Sequence, residues 1–123
     1  MTRKRILLVD DSETSLLMAR MILSKANYDI LVAKDGQQGV ETAAKERPDL
    51  VLLDVVMPRL NGFEACAKLK AQKETEAIPV IMVTTRGEGP SVETGYASGA
   101  SDYVTKPVNG LELLTKVRNL LGD

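Results

Sequence analysis

Ile6-Leu7-Leu8-Val9-Asp10-Asp11-Ser12 and Leu50-Val51-Leu52-Leu53-Asp54 decide how this chain reads. Each is an unbroken apolar run that stops abruptly at carboxylates. A strand with one solvated face alternates apolar and polar residues. A continuous run suits a strand covered on both faces, as in a parallel sheet. Ligands of open α/β sheets bind just outside the carboxyl ends of such strands. If the two strands are neighbours, Asp10, Asp11 and Asp54 converge on one small pocket. Two full charges about 5 Å apart repel by about 3 kcal/mol at an effective dielectric of ~20. A hard divalent cation such as Mg²⁺ turns that repulsion into a binding site.

Outward from these two runs, strand and helix signals alternate five times. Strands are predicted over about 5–9, 30–33, 50–53, 79–83 and 103–105. The first helix opens near the capping residue Ser12 and carries Leu16, Leu17, Met21, Ile22 and Leu23. The second covers about 38–46 and stops before Pro48. The third follows Asn61-Gly62 and reaches about 70. The fourth, over about 91–98, is weak, because Gly95 interrupts it and Gly99 ends it. It follows the loop Arg86-Gly87-Glu88-Gly89-Pro90. An interior glycine costs a helix roughly 1 kcal/mol relative to alanine, so 86–98 is expected to be the most mobile stretch. The fifth helix starts at Asn109, with Glu112 placed to complete a capping box. Its Leu113, Leu114, Val117, Leu120 and Leu121 form one stripe. Such alternation implies a parallel sheet with helices on both faces, here a single domain over 1–123.

Composition excludes several classes of function. The 123 residues carry a net charge of -1, so no basic field holds nucleic acid or an anionic lipid surface. Tryptophan is absent and aromatics make up 3%, which leaves no base-stacking platform. Histidine is absent too. That removes histidine metal sites, Ser-His-Asp chemistry and any phosphohistidine on this chain. Cys66 stands alone at helical spacing between Phe63 and Leu69, and reads as a buried core thiol. The apolar run after Arg3-Lys4-Arg5 is too short for a secretion signal, and no stretch reaches membrane-spanning length. The expected location is cytoplasmic.

Two further residues join the acids. Thr84 follows Val80-Ile81-Met82-Val83, and Lys106-Pro107 follows Tyr103-Val104-Thr105. Alone, each reads as a strand end or a turn, just as Asp10-Asp11-Ser12 alone reads as a helix cap. Together they sit at the carboxyl ends of the first, third, fourth and fifth strands, along one rim of one sheet. Acids to hold a cation, with an ammonium and a hydroxyl to meet anionic oxygens, suit a small phosphoryl group. Asp54 is left as nucleophile.

In order and spacing these residues, with Met57-Pro58, Gly62 and Gly99-Ala100-Ser101-Asp102-Tyr103, resemble the receiver domain of two-component response regulators over the whole chain. The resemblance implies a flavodoxin-like, doubly wound α/β fold. Its five parallel strands run in the order 2-1-3-4-5, flanked by five helices. It implies that Asp54 takes a phosphoryl group from a sensor histidine kinase or a histidine phosphotransfer protein. Asp11 and Asp54 would hold Mg²⁺ directly, Asp10 through water, and Val56 through its backbone carbonyl. Lys106 would pair with the phosphoryl oxygens. Thr84 would be the switch hydroxyl and Tyr103 the aromatic switch. The product would be a signalling switch that assists its own phosphorylation and dephosphorylation, rather than an enzyme acting on a separate substrate.

Three positions depart from the family's usual pattern. Thr85 stands where a small residue is common. Val56 and Arg86 occupy the two places beside the phosphate that tune acyl-phosphate lifetime. The chain ends after its fifth helix, so a stand-alone regulator is expected, a monomer or weak phosphorylation-dependent dimer. It would act on a downstream protein target through the face of helix 4, strand 5 and helix 5. A phosphorelay intermediate and a non-phosphorylated pseudo-receiver scaffold are the alternatives. A haloacid-dehalogenase-type phosphatase would need its second acid two residues after the nucleophile of the first strand. A flavin site would need a phosphate loop there, and neither is present.

Overall fold

The structure, a computed structural model, describes residues 3–57, 60–85 and 99–122. Five strands alternate with helices: β1 Arg5–Val9, α1 Glu13–Lys25, β2 Asp29–Ala33, α2 Gly36–Glu46, β3 Leu50–Asp54, α3 Gly62–Lys70, β4 Val80–Thr85, β5 Asp102–Lys106 and α4 Gly110–Leu121. All neighbouring strands pair in parallel, in the order β2-β1-β3-β4-β5. The two apolar runs that end in carboxylates, β1 and β3, lie side by side near the centre, with Leu7 opposite Val51 and Val9 opposite Leu53. Four helices lie among the described residues. The expected helix over about 91–98, the 86–90 loop and its anticipated mobility lie outside them.

The period of two along each strand divides the core into two layers. Leu7, Val9, Val51, Leu53, Val80, Met82 and Tyr103 pack on one face with residues of α2 and α3, such as Val40, Ala43, Ala65 and Leu69. Ile6, Leu8, Leu50, Leu52, Ile81, Val83 and Val104 pack on the other with residues of α1 and α4, such as Leu16, Leu23, Leu113 and Val117. Fully burying one such leucine contributes about 2 kcal/mol relative to leaving it exposed. Both faces of β1 and β3 need apolar residues, which is why their sequences do not alternate.

Caps fix where the helices begin. Ser12 accepts the N–H of Ser15, and Asp35 accepts that of Gln38 at 2.8 Å. Helix α2 therefore starts at Gly36, two residues before its expected start. Asn61 and Glu64 form a reciprocal capping box on α3, and Asn109 accepts the Glu112 N–H at 3.0 Å. Lys4 donates to the Leu121 carbonyl and Arg5 to that of Glu46. The two cations thus sit at the negative ends of α4 and α2. The apolar residues of α1 do not all face the core. Leu17 and Met21 of α1 are 58% and 53% exposed, while Ala19 is buried. The buried arc follows Leu16, Ala19 and Leu23, and residues 17 and 21 lie roughly 100–160° round the helix from its members.

Candidate functional site

Strand ends and one tight corner bring the acids together. Asp10 comes directly after β1, and its N–H donates to the Ala33 carbonyl at 3.1 Å, which extends the β1–β2 ladder by one step. Its carboxylate accepts the Ser12 N–H at 2.9 Å, so the chain turns into α1 around a fixed side chain. Asp54 is the last residue of β3, opposite Val83 of β4. Gly62, the first residue of α3, donates its N–H to the Val55 carbonyl at 2.9 Å. A Cβ at Gly62 would overlap the Asp54 carbonyl oxygen and crowd Val55 Cα. Only a glycine lets α3 begin this close to the acid-bearing strand end.

Carboxylate oxygens of Asp10, Asp11 and Asp54 all lie within 4.8 Å of one another. Asp10 and Asp54 are buried, and Asp11 is exposed. Lys106, the last residue of β5, places its ammonium 3.3 Å from Asp10 Oδ2 and 3.2 Å from Asp54 Oδ1. Strand parity explains the meeting. Asp10, Asp54 and Lys106 lie two residues beyond Leu8, Leu52 and Val104, on the α1–α4 face of the sheet.

The electrostatics follow from burial. Desolvation raises the Asp54 pKa to about 6, and the Asp10 and Asp11 charges add to it, against the opposing pull of Lys106. For Lys106, burial disfavours the ammonium, but Asp54 and Asp10 outweigh it and raise its pKa above the ordinary lysine value. Three carboxylates against one ammonium leave the pocket negative. All-oxygen donors with excess negative charge suit a hard divalent cation. The residues present therefore fit Mg²⁺.

Two of the other predicted residues, Thr84 and Tyr103, lie on the α2–α3 face of the sheet, opposite to that of the acids. Thr84 is buried in β4, opposite Thr105 of β5. It stands two residues after Met82, on the same face as buried Tyr103, the cross-strand partner of Met82. Val56 lies two residues beyond β3 with its side chain 60% exposed. Arg86 lies outside the described residues. The double contact of Lys106, with Asp10 as well as Asp54, and the Ser12 tether on Asp10 were not visible in the sequence. The signal for the tether is the adjacency of Asp10 to the helix cap at Ser12.

The response regulator receiver domain family matches residues 6–118. Protein PilH of Pseudomonas aeruginosa is 45% identical over 117 residues, which span 95% of this chain and 97% of that protein. Among solved structures, the Vibrio cholerae chemotaxis protein CheY4 is similar with a TM-score of 0.91 at 32% identity, covering 98% of this chain and 100% of that one. The receiver domain of a Pseudomonas aeruginosa sensor histidine kinase reaches a TM-score of 0.92 at 28% identity, covering 99% of this chain and 100% of that one. That structure holds a magnesium ion coordinated in its active site cleft.

Proposed function

The chain belongs to the response regulator receiver family, and from that premise we propose that Asp54 is its phosphoacceptor and that phosphorylation there switches protein contacts. Receiver domains take a phosphoryl group on an aspartate with Mg²⁺, from histidine kinases or phosphotransfer proteins. The observation that carries the assignment to Asp54 is its position, buried at the end of β3 within 3.2 Å of Lys106 and beside Asp10 and Asp11.

Asp54 acts as nucleophile: a carboxylate oxygen attacks phosphorus, the bond to the donor nitrogen breaks, and an acyl phosphate forms. Mg²⁺ held there would supply charge neutralisation for the phosphoryl oxygens. Lys106 is poised to follow the charge from the carboxylate to the phosphoryl group. Asp11 and Asp54 would hold the metal directly, together with the Val56 carbonyl. Asp10 would act through water. This division is supported by its engagements, one oxygen bonded to the Ser12 N–H and the other facing Lys106.

Thr84 is the switch hydroxyl, turning toward the new acceptor oxygens, and Tyr103, on the same sheet face, follows it. The output surface includes β5 and α4, and it meets a protein target. The near-full-length match to PilH supports a regulator of the single-domain type over 1–123. Incubation with Mg²⁺ and acetyl phosphate, read by intact mass, tests the proposal. One phosphoryl mass is expected on the wild type and none on Asp54→Asn. An adduct of equal yield on the variant removes Asp54 from the role.

A further inference from the structure

A cavity of about 200 Å³ opens beside the acidic pocket, between α1 and the segment that follows β5. Its apolar walls include Leu8 and Leu52 from the sheet, Leu16 and Ala19 from α1, Val83 from β4, and Val108. Asp10, Ser15, Asp54 and Lys106 supply its polar lining. The phosphoryl-transfer chemistry uses the acids and the lysine of that lining and leaves the apolar part unused. We propose that this cavity binds a small primary amine with an apolar body, an alkyl- or aralkylammonium ion. Its head would sit on the carboxylates and its body between α1 and Val108.

Three considerations select that ligand. The first is size. Apolar cavities of roughly 150 Å³ admit benzene, so the space here accommodates a ring and a one-carbon linker. The second is charge. Asp10, Asp11 and Asp54 have carboxylate oxygens within 4.8 Å of one another, and Lys106 is the ammonium facing Asp10 and Asp54. An anionic head is repelled, and a neutral head leaves the excess charge in place. A singly charged ammonium offsets it, and repels Lys106 less than a divalent metal does at the same carboxylates. The third is access. Met18, which also lines the cavity, is 47% exposed on α1. Its unbranched side chain can swing aside without disturbing the helix.

Because the head shares its carboxylates with Mg²⁺, the amine is a competitor of the metal and thereby an inhibitor of phosphorylation. The inference goes beyond the proposed function, and its apolar half stands without any metal.

The test uses benzylammonium, benzyl alcohol, benzoate and methylammonium as probes, followed by amide NMR shifts of the full chain. Benzylammonium should shift the amides of Ala19, Val83 and Val108 and bind at least tenfold more tightly than benzoate or methylammonium, with benzyl alcohol between. At a benzylammonium concentration equal to its dissociation constant, the apparent Mg²⁺ dissociation constant should double. Val108→Phe, which fills the cavity, should abolish benzylammonium binding and leave Mg²⁺ affinity unchanged. Ala19→Leu serves the same purpose if the first variant does not fold. Equal binding of benzoate refutes the charge argument, and equal binding of methylammonium refutes the apolar one. Undiminished binding to the filled variant, or no effect on Mg²⁺, places the amine elsewhere and overturns the proposal. Failure of Asp54 to accept phosphate would leave the probe order and the cavity variants untouched, so the two readings fail separately.

Discussion

Asp54→Asn should make the metal-free protein more stable at neutral pH and leave it little changed in acid. Raising a carboxyl from 3.8 to about 6 corresponds to roughly 3 kcal/mol of native-state destabilisation while the group is ionised. The sign follows from the direction. Below the unfolded pKa both states hold the proton and no penalty exists. As pH rises the unfolded chain releases its proton first, so the penalty grows up to the folded pKa and is constant above it. Solvent at the mouth of the pocket screens part of this, and the amide leaves Lys106 with Asp10 as its ion-pair partner. A net gain of about 1–2 kcal/mol is therefore expected. With an m-value of ~2 kcal/mol/M that moves the urea midpoint by about 0.5–1 M. Urea unfolding of both proteins in chelator, at pH 7.5 and again at pH 4, measures it. Most of the difference should be gone at the lower pH, because other carboxyls titrate alike in both proteins. A variant no more stable than wild type at pH 7.5, or a gain independent of pH, would refute the desolvation argument.

Asp11→Ala should abolish Mg²⁺-dependent phosphorylation while leaving the metal-free melting temperature unchanged or slightly higher, since it removes one like charge from the cluster. A clear drop in melting temperature would contradict this. Gly62→Ala should cost about 1–3 kcal/mol in urea unfolding, because its Cβ meets backbone rather than a yielding side chain; a loss under ~0.5 kcal/mol would show that α3 can shift freely. Thr84→Ala should still accept phosphate, yet beryllofluoride should no longer produce the wild-type NMR shifts around Tyr103. Identical shifts would remove Thr84 from the switch.

The fold was legible because its two central strands have no solvated face. Ile6-Leu7-Leu8-Val9 and Leu50-Val51-Leu52-Leu53 suited doubly covered strands, and the acids that ended them marked the rim. The edge strand β2, with Val32 exposed, carried a weaker signal, and its order in the sheet came from resemblance rather than from pattern. Leu17 and Met21 misled, because apolar character alone does not tell a core arc from its neighbour. The site's membership was readable from strand ends, but its wiring was not. That Lys106 reaches Asp10 as well as Asp54 depends on where β5 stops, one residue past the expected strand end at Thr105. The cavity under α1 was equally hidden, since a gap arises from side-chain volumes across five elements and leaves no local mark.

Borohydride trapping of the acyl phosphate tests the central claim most directly. The protein is incubated with Mg²⁺ and acetyl phosphate and reduced, and its peptides are sequenced by mass spectrometry. Reduction converts a phosphorylated aspartate to its alcohol and marks the position. The mark should fall on Asp54, and should vanish when Mg²⁺ is chelated. A mark on Asp10 or Asp11, or one that persists without Mg²⁺, would contradict the account.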